Sequence, residues 1–189
     1  MDFLEKIVSA DPVPAGGAAA AYVASLGVAL LFKVLLIELQ RPKVDAQTHD
    51  ALAVAEKEVE RLYSDLKRML EEDPQRYLRF SSTRKDPDRA ASKAAFLDVI
   101  TCSMRVMEKA LEGLDWAGKM SRMSSRSLVP HLRVATELLA AGLSGTAHVV
   151  RANLRPAQFP EKQNRYLENL ESCYEQGMLK KASILETLK

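Results

Sequence analysis

Residues 11–40 read DPVPAGGAAAAYVASLGVALLFKVLLIELQ and contain the pattern that decides the fold. Two prolines remove backbone donors and two glycines permit positive φ, so residues 11–17 predict a tight loop. From Ala18 to Gln40 the chain is apolar nearly all round, which is typical of the central helix of a bundle. We therefore expect a long buried helix directly after the loop.

Small residues recur at every fourth position of this helix. Gly17, Ala21 and Ser25 fall on one face, and their small side chains would let another helix approach closely. A nearly all-apolar helix would also expose too much apolar surface in a monomer of this size. The pattern predicts a symmetric homodimer that packs through this helix.

A membrane span is the competing interpretation of the same segment. Its unbroken apolar part is shorter than about 18 residues, because Ser25 and Lys33 interrupt it. The first residues do not combine a basic region with an apolar one, so we expect no signal peptide. Cys102 and Cys173 lie far apart and form no metal-ligand or disulfide pattern. These features predict a cytoplasmic protein with reduced thiols, no bound metal and no membrane contact.

Helical periodicity continues along the rest of the chain. The predicted helices cover residues 45–72, 89–114, 130–153 and a last stretch to residue 187. Asp73 followed by Pro74 predicts the N-cap of a further short helix that ends at Phe80, and residues 81–88 predict a polar loop. The net charge of +2 gives no support for nucleic-acid binding. We predict one all-α domain over residues 1–189, built as an up-and-down helical bundle.

Three stretches resemble the cyclodeaminase/cyclohydrolase family. They are residues 3–27, Glu71-Glu72-Asp73 followed by Tyr77, and Gly142-Leu143-Ser144-Gly145 leading to Asn153. The family comprises the cyclodeaminase domain of formiminotransferase-cyclodeaminase and the bacterial methenyltetrahydrofolate cyclohydrolases. The resemblance covers nearly the whole chain. It implies a helical bundle of the formiminotransferase-cyclodeaminase C-terminal-domain type and an enzyme that acts on a tetrahydrofolate derivative without a cofactor.

The chain departs from the family pattern at polar positions. Ala15 and Ala18 stand where the family usually has glycine and serine, and residues 124–131 correspond to a Gly-Asn-x-Asn-x-x-Ser-Asp segment. Every polar landmark of that segment is substituted, and its aspartate becomes His131. Several pairing groups lost together weaken a polar site strongly. The substitutions predict weak or absent activity, with a folate-sized cleft retained at the dimer interface.

Two residues are candidates for proton transfer. The resemblance implies that Asp73 acts as a general acid or base, whereas an aspartate ahead of a proline is, as a sequence feature alone, more often a helix N-cap. His131 falls in the first turn of a predicted helix, where the helix dipole favours a neutral imidazole that can accept a proton. The alternative for His131 is a surface histidine.

The Pro-Gly loop is the first candidate for substrate binding. Pro14, Gly16 and Gly17 precede a helix whose free N–H groups could hold a carboxylate, such as the glutamate tail of a folate. The alternative is a tight turn that lets two helices cross.

The other candidate substrate-binding residues are Arg126, Arg133, Glu137 and Asn153. The two arginines flank the second long loop and could grip an acidic ligand, although charged loops are commonly just solvated. Glu137 lies in an apolar helical stretch, where a carboxylate pairs with a base or stays protonated. The resemblance implies that Asn153 is a hydrogen-bond donor to the folate.

Two functions from different classes fit these features. One is a formiminotetrahydrofolate cyclodeaminase or methenyltetrahydrofolate cyclohydrolase, that is, a lyase or hydrolase of one-carbon metabolism. The other is a catalytically silent dimeric homologue that binds a different small ligand or a partner protein. The rewritten segment at residues 124–131 favours divergence from the family's chemistry.

Overall fold

The computed structural model describes residues 2–42, 45–83, 89–154 and 160–189, with side chains from residue 163 onward in the last range. These residues form six α-helices: α1 (Phe3–Val8), α2 (Gly16–Leu39), α3 (Ala46–Thr83), α4 (Arg89–Met120), α5 (Val129–Leu154) and α6 (Pro160–Thr187). A short 3-10 turn, Arg126–Leu128, precedes α5. Within the described ranges there is no strand, and the prediction of an all-α bundle is confirmed.

Successive helices from α2 to α6 run antiparallel. Between α2 and α3, Gly17 lies near Asp73 and the ring of Phe32 lies 6.5 Å from that of Tyr63. Ion pairs between α3 and α4 and between α5 and α6 follow the same reversed order. The bundle therefore has two ends. We call them the Asp73 end, where α2 begins and α5 finishes, and the Ser125 end, where α4 connects to α5.

The small residues of α2 pack against α5 of the same chain. A Cβ atom on Gly142 would lie 2.7 Å from both the Cβ and the backbone nitrogen of Ala24. A Cβ atom on Gly27 would lie 2.8 Å from Cγ of Leu139. The absence of side chains on both helices is what permits this approach. The close approach to α5 uses Ala20, Ala24 and Gly27, whereas Gly17 of the predicted small-residue face lies against Asp73 of α3.

The other side of α2 faces outward. Leu26 and Ile37 are 42% and 37% exposed on this side. Among the described helices, α2 is the one with the length and composition that a membrane span requires, and half of its most apolar stretch is buried inside the bundle. Burial of one side is what the central helix of a bundle requires.

Helix α3 differs from the prediction, because Asp73 lies inside it and not at the N-cap of a separate helix. Pro74 removes one N–H group from the intrahelical ladder, yet the helix continues to Thr83. The continuation is packed against α4, where Phe80 and Phe96 place their ring centroids 5.4 Å apart. Tertiary packing therefore overrides a local helix-breaking signal.

Other boundaries also differ in detail. Helix α2 begins at Gly16, and no described glycine has a positive φ, so the positive φ expected at the two loop glycines is wrong. Helix α4 extends to Met120 because Ala117 and Met120 are both fully buried. Of the loop predicted at 81–88, the first three residues are helical and the rest lie outside the described residues.

Candidate functional site

The carboxylate of Asp73 lies against the first turn of α2. A Cβ atom on Gly17 would lie 3.4 Å from Oδ2 and 3.5 Å from Oδ1 of this carboxylate, so the glycine leaves the space that Asp73 occupies. The N-cap of α2 is Ala15, which supplies no side-chain capping bond. The first N–H groups of a 24-residue helix therefore begin beside Asp73 without a side-chain acceptor.

The surroundings of Asp73 favour its protonated form. Burial raises the pKa of the Asp73 carboxyl group, and the nearby Arg76 guanidinium offsets only part of this effect. Among the described residues, none forms a hydrogen bond or an ion pair with the carboxylate. A carboxyl group in this state exchanges a proton closer to neutral pH than a solvated one does.

Two carboxylates hold the guanidinium of Arg76. It pairs with Glu72 at 2.8 Å and with Asp98 of α4, while its Nε atom is buried without a hydrogen-bond partner. The hydrogen bond to Glu72, with the nearby negative charges, raises the pKa of Arg76. Cys102 lies in the same surroundings, and burial raises the pKa of its thiol to about 11. Cys102 is therefore a neutral buried thiol and not a nucleophile.

A cleft with a volume of about 610 Å³ opens beside this region, between α1, residues 9–14 and α3. Its lining includes Pro14, Leu70 and Pro74, with Lys6, Asp11 and Glu71 as charged groups. Helix α1 closes one side because the rings of Phe3 and Tyr22 stack with centroids 4.4 Å apart. Across the described part of the chain, no three His, Cys, Asp or Glu side chains are arranged to hold a metal ion.

A sequence model of the formiminotransferase-cyclodeaminase domain matches residues 1–172. The chain belongs to the formiminotransferase-cyclodeaminase family. Its fold is similar to the crystal structure of formiminotetrahydrofolate cyclodeaminase from Thermotoga maritima, with a TM-score of 0.91 and 17% sequence identity over 98% of this chain and 93% of that chain. At this identity the likeness establishes the fold alone. A comparison with curated protein sequences finds no match.

This member of the formiminotransferase-cyclodeaminase family brings five of its predicted site residues to the Asp73 end. They are Pro14, Gly16, Gly17, Asp73 and Asn153. Gly16 begins α2 next to α5, because a Cβ atom on it would lie 3.5 Å from Cγ2 of Val149. Asn153 follows one turn later on α5 and is half-buried. Residues far apart in sequence thus converge on one end of the bundle.

The remaining predicted residues do not join this group. Arg126, His131 and Arg133 are exposed toward the Ser125 end. Asp73 lies beside Gly17 of α2, Ala135 lies beside Gly27, and His131 is one turn beyond Ala135, so His131 and Asp73 are separated by roughly 20 Å along the bundle. Glu137 is also exposed and pairs with Lys181 at 2.7 Å. Within one chain of this formiminotransferase-cyclodeaminase family member, His131 and Asp73 therefore lie too far apart to act on one substrate atom.

Glu38 is a fully buried carboxylate that the sequence pattern did not single out. Burial acts to raise its pKa, but hydrogen bonds from the Ser125 backbone N–H and from Arg41 outweigh burial and lower it. The carboxylate ties the last turn of α2 to the connection before α5. Its signal was an acidic residue inside an apolar helix, the same signal that had pointed to Glu137.

Arg76 and Asp98 were also missed by sequence reasoning. They are 22 residues apart and belong to different helices, so each one alone resembles an ordinary solvated charge. Only the antiparallel pairing of α3 with α4 brings them together beside Asp73.

Proposed function

We propose that this chain acts on a tetrahydrofolate derivative by cyclodeaminase- or methenyltetrahydrofolate cyclohydrolase-type chemistry, with Asp73 as the group that moves the proton. The observation that carries the proposal is the half-buried Asp73 carboxyl, which has no ion-pair partner among the described residues and lies beside the uncapped start of α2. A group that must bind and release a proton works best when no fixed counter-ion holds it in one state.

The chemistry needs one proton-transfer group in either direction. In the deaminase direction, N10 of the substrate attacks the carbon of the protonated formimino group, and Asp73 takes the proton that N10 loses and passes it to the departing amino nitrogen. The carbon–nitrogen bond to that nitrogen then breaks, ammonia leaves, and the methenyl bridge remains. In the hydrolase direction, water adds to the methenyl carbon while the Asp73 carboxylate accepts one of its protons. The bond from this carbon to N5 then breaks and the hydroxyl proton moves to N5, which leaves a formyl group on N10. Because burial raises the pKa of Asp73, the protonated form is easier to reach than it is for a solvated carboxyl group.

Substrate binding in this proposal uses the same end of the bundle. The N–H groups and the positive dipole of the first turn of α2, at Gly16 and Gly17, favour a carboxylate of the folate glutamate tail. Pro14 supplies apolar surface in the neighbouring cleft, where Lys6 adds a positive charge. Asn153, half-buried at this end, serves as a hydrogen-bond partner for the substrate.

A homodimer in the cytoplasm is part of the proposal. Its support is the outward side of α2, where the apolar side chains of Leu26 and Ile37 remain exposed. Cys102 and Cys173 are free and buried, which fits a reducing compartment. Sedimentation at micromolar concentration tests the dimer, and a clean monomer there removes it from the proposal.

The activity is tested by following the opening of the methenyl bridge spectrophotometrically with the purified protein. We expect slow turnover above the uncatalysed rate, which Asp73→Asn abolishes while leaving the fold intact. The matched control is Asp65→Asn on the same helix, since Asp65 is ion-paired to Arg68 and Lys109 and lies two turns away from Asp73. Turnover unchanged by Asp73→Asn would remove Asp73 from the mechanism.

A second candidate function is a catalytically silent homologue that binds a different small ligand or a partner protein. The support for it is that residues 124–131, the substituted segment, have a structural role. The Ser125 N–H donates to the buried Glu38, and His131 is exposed far from Asp73. A thermal-shift titration with reduced folates separates the two functions. Stabilisation without turnover, or no stabilisation by any folate, supports the silent homologue.

A further inference from the structure

Arg76 lies three residues after Asp73 on α3, a spacing at which opposite charges on a helix normally pair. It does not pair with Asp73. Its guanidinium is bound by Glu72 on the same helix and by Asp98 on α4. An arginine within reach of an unpaired carboxylate is thus committed to two other carboxylates.

We propose that Glu72 and Asp98 hold the guanidinium of Arg76 away from Asp73 and thereby keep the Asp73 carboxyl without a counter-ion. Arg76 is then a positioning residue, and Asp98 is the group on α4 that fixes where its charge lies. This inference rests on the proposed role of Asp73 in proton transfer.

The contacts of Arg76 support a fixed geometry. Its side chain is 26% exposed, so most of it is enclosed between α3 and α4. Its Nε atom is buried and has no hydrogen-bond partner within the described residues. A buried donor without a partner is unfavourable. The ion pairs with the two carboxylates therefore fix the orientation of the guanidinium, even though they leave Nε unpaired.

Among the charged groups on the neighbouring elements, Arg76 is the cation that acts on the Asp73 carboxyl group. From α4 the facing groups are Asp98 and the neutral thiol of Cys102, and α2 presents Gly17, which has no side chain. Besides Arg76, α3 contributes Glu72. The cleft beyond Pro74 adds Lys6, Asp11 and Glu71 at its lining. Burial raises the pKa of Asp73, and the position of one guanidinium therefore sets how far a positive charge offsets that rise.

The test is a titration of the Asp73 carboxyl carbon by NMR, with its resonance assigned through Asp73→Asn. We expect Asp98→Asn to release Arg76 toward Asp73 and to lower the midpoint by about one pH unit, as an opposite charge at contact does. Arg76→Gln removes the cation and should raise the midpoint. The matched control is Asp65→Asn, which weakens another bridge between α3 and α4, to Lys109 at 3.3 Å, and should leave Asp73 unchanged.

Shifts in opposite directions, with a double variant Arg76→Gln/Asp98→Asn that titrates like Arg76→Gln alone, support the inference. Loss of the Asp98 charge by itself would lower the midpoint of the Asp73 titration even without Arg76. Equal directions, or no change in either variant, would overturn it. If Asp98→Asn does not fold, Glu72→Gln removes the other carboxylate and should lower the midpoint in the same sense. The NMR midpoint needs no turnover, so a protein with opposed shifts and no folate activity would keep this inference and remove the proposed function. In an active protein, the acid limb of the pH–rate profile should follow the midpoint.

Discussion

Asp73 and Gly17 meet across the α2–α3 interface so closely that one added methyl group at Gly17 would lie 3.4 Å from Oδ2 of the aspartate. The contact joins the first turn of α2 to the part of α3 that follows the buried residues of α3. A single methyl group would fit at this distance, but a larger side chain would have to displace the carboxylate or the helix. The candidate site therefore limits the size of the side chain at position 17.

Gly17→Val should destabilise the protein and weaken folate binding. The branched side chain must displace either the Asp73 carboxylate or the first turn of α2, and overpacking of this kind costs about 1–3 kcal/mol. Gly17→Ala is the graded control, because its single Cβ reaches only an ordinary contact distance. Urea denaturation and a reduced-folate thermal shift measure the two effects. A valine variant that matches the wild type in both would show that this contact matters for neither.

Asp73→Asn should stabilise the protein at pH 7. Burial raises the pKa of Asp73 above its ordinary value of 3.8, so the folded state holds the proton more strongly than the unfolded state does. Stability is then lost as pH rises from 3.8 through the folded-state pKa, and the neutral amide avoids this loss. Melting temperatures against pH should differ at pH 7 and converge below pH 3.8. A lower Tm of the variant at pH 7 would contradict this assignment.

Gly142→Ala should be strongly destabilising although alanine is the better helix former. The new Cβ would lie 2.7 Å from the backbone nitrogen of Ala24, and backbone cannot move aside as a flexible side chain can. We expect a loss of about 1–3 kcal/mol. Gly118→Ala is the matched control, since its Cβ would meet Ile184 at 3.5 Å, and it should be neutral or stabilising by up to about 1 kcal/mol. If the two variants had the same free energy of unfolding in urea, α2 and α5 would have to separate easily to make room for the new methyl group.

Glu38→Gln should lower stability at neutral pH by about 1–3 kcal/mol, because it weakens hydrogen bonds to a buried group. Although burial opposes ionisation, bonds from Ser125 and Arg41 lower the pKa of Glu38 below its ordinary value of 4.5. Its contribution is therefore present above pH 4.5 and lost as pH falls toward the folded-state pKa. The stabilities of wild type and variant, measured by denaturant at several pH values, should converge in acid. A difference in stability between wild type and Glu38→Gln that stayed constant down to acid pH would contradict the lowered pKa of Glu38.

The helical pattern was readable from the sequence because amphipathic periodicity is a local property. Residues 45–72 and 130–153 repeat apolar positions at the spacing of one helix face, and apart from Asp45 they lie within the observed α3 and α5. The Pro-Gly loop and the Ala-rich helix likewise led to the family, which the match over residues 1–172 confirmed. The end of the helix at Asp73 was predicted wrongly, since a proline signal is also local and the packing of Phe80 on α4 is not.

The sequence by itself determined that this chain is a helical bundle with an acidic residue after the third predicted helix. Only the tertiary structure decided which charged side chains are buried and which pair with one another. Glu38 and Glu137 both lie in apolar helices, yet the first is fully buried and the second forms an exposed pair with Lys181. The ion pair between Arg76 and Asp98, beside Asp73, could likewise not be predicted from the sequence. Burial and charge pairing depend on which helix faces meet, and that is fixed by contacts between residues far apart in the chain.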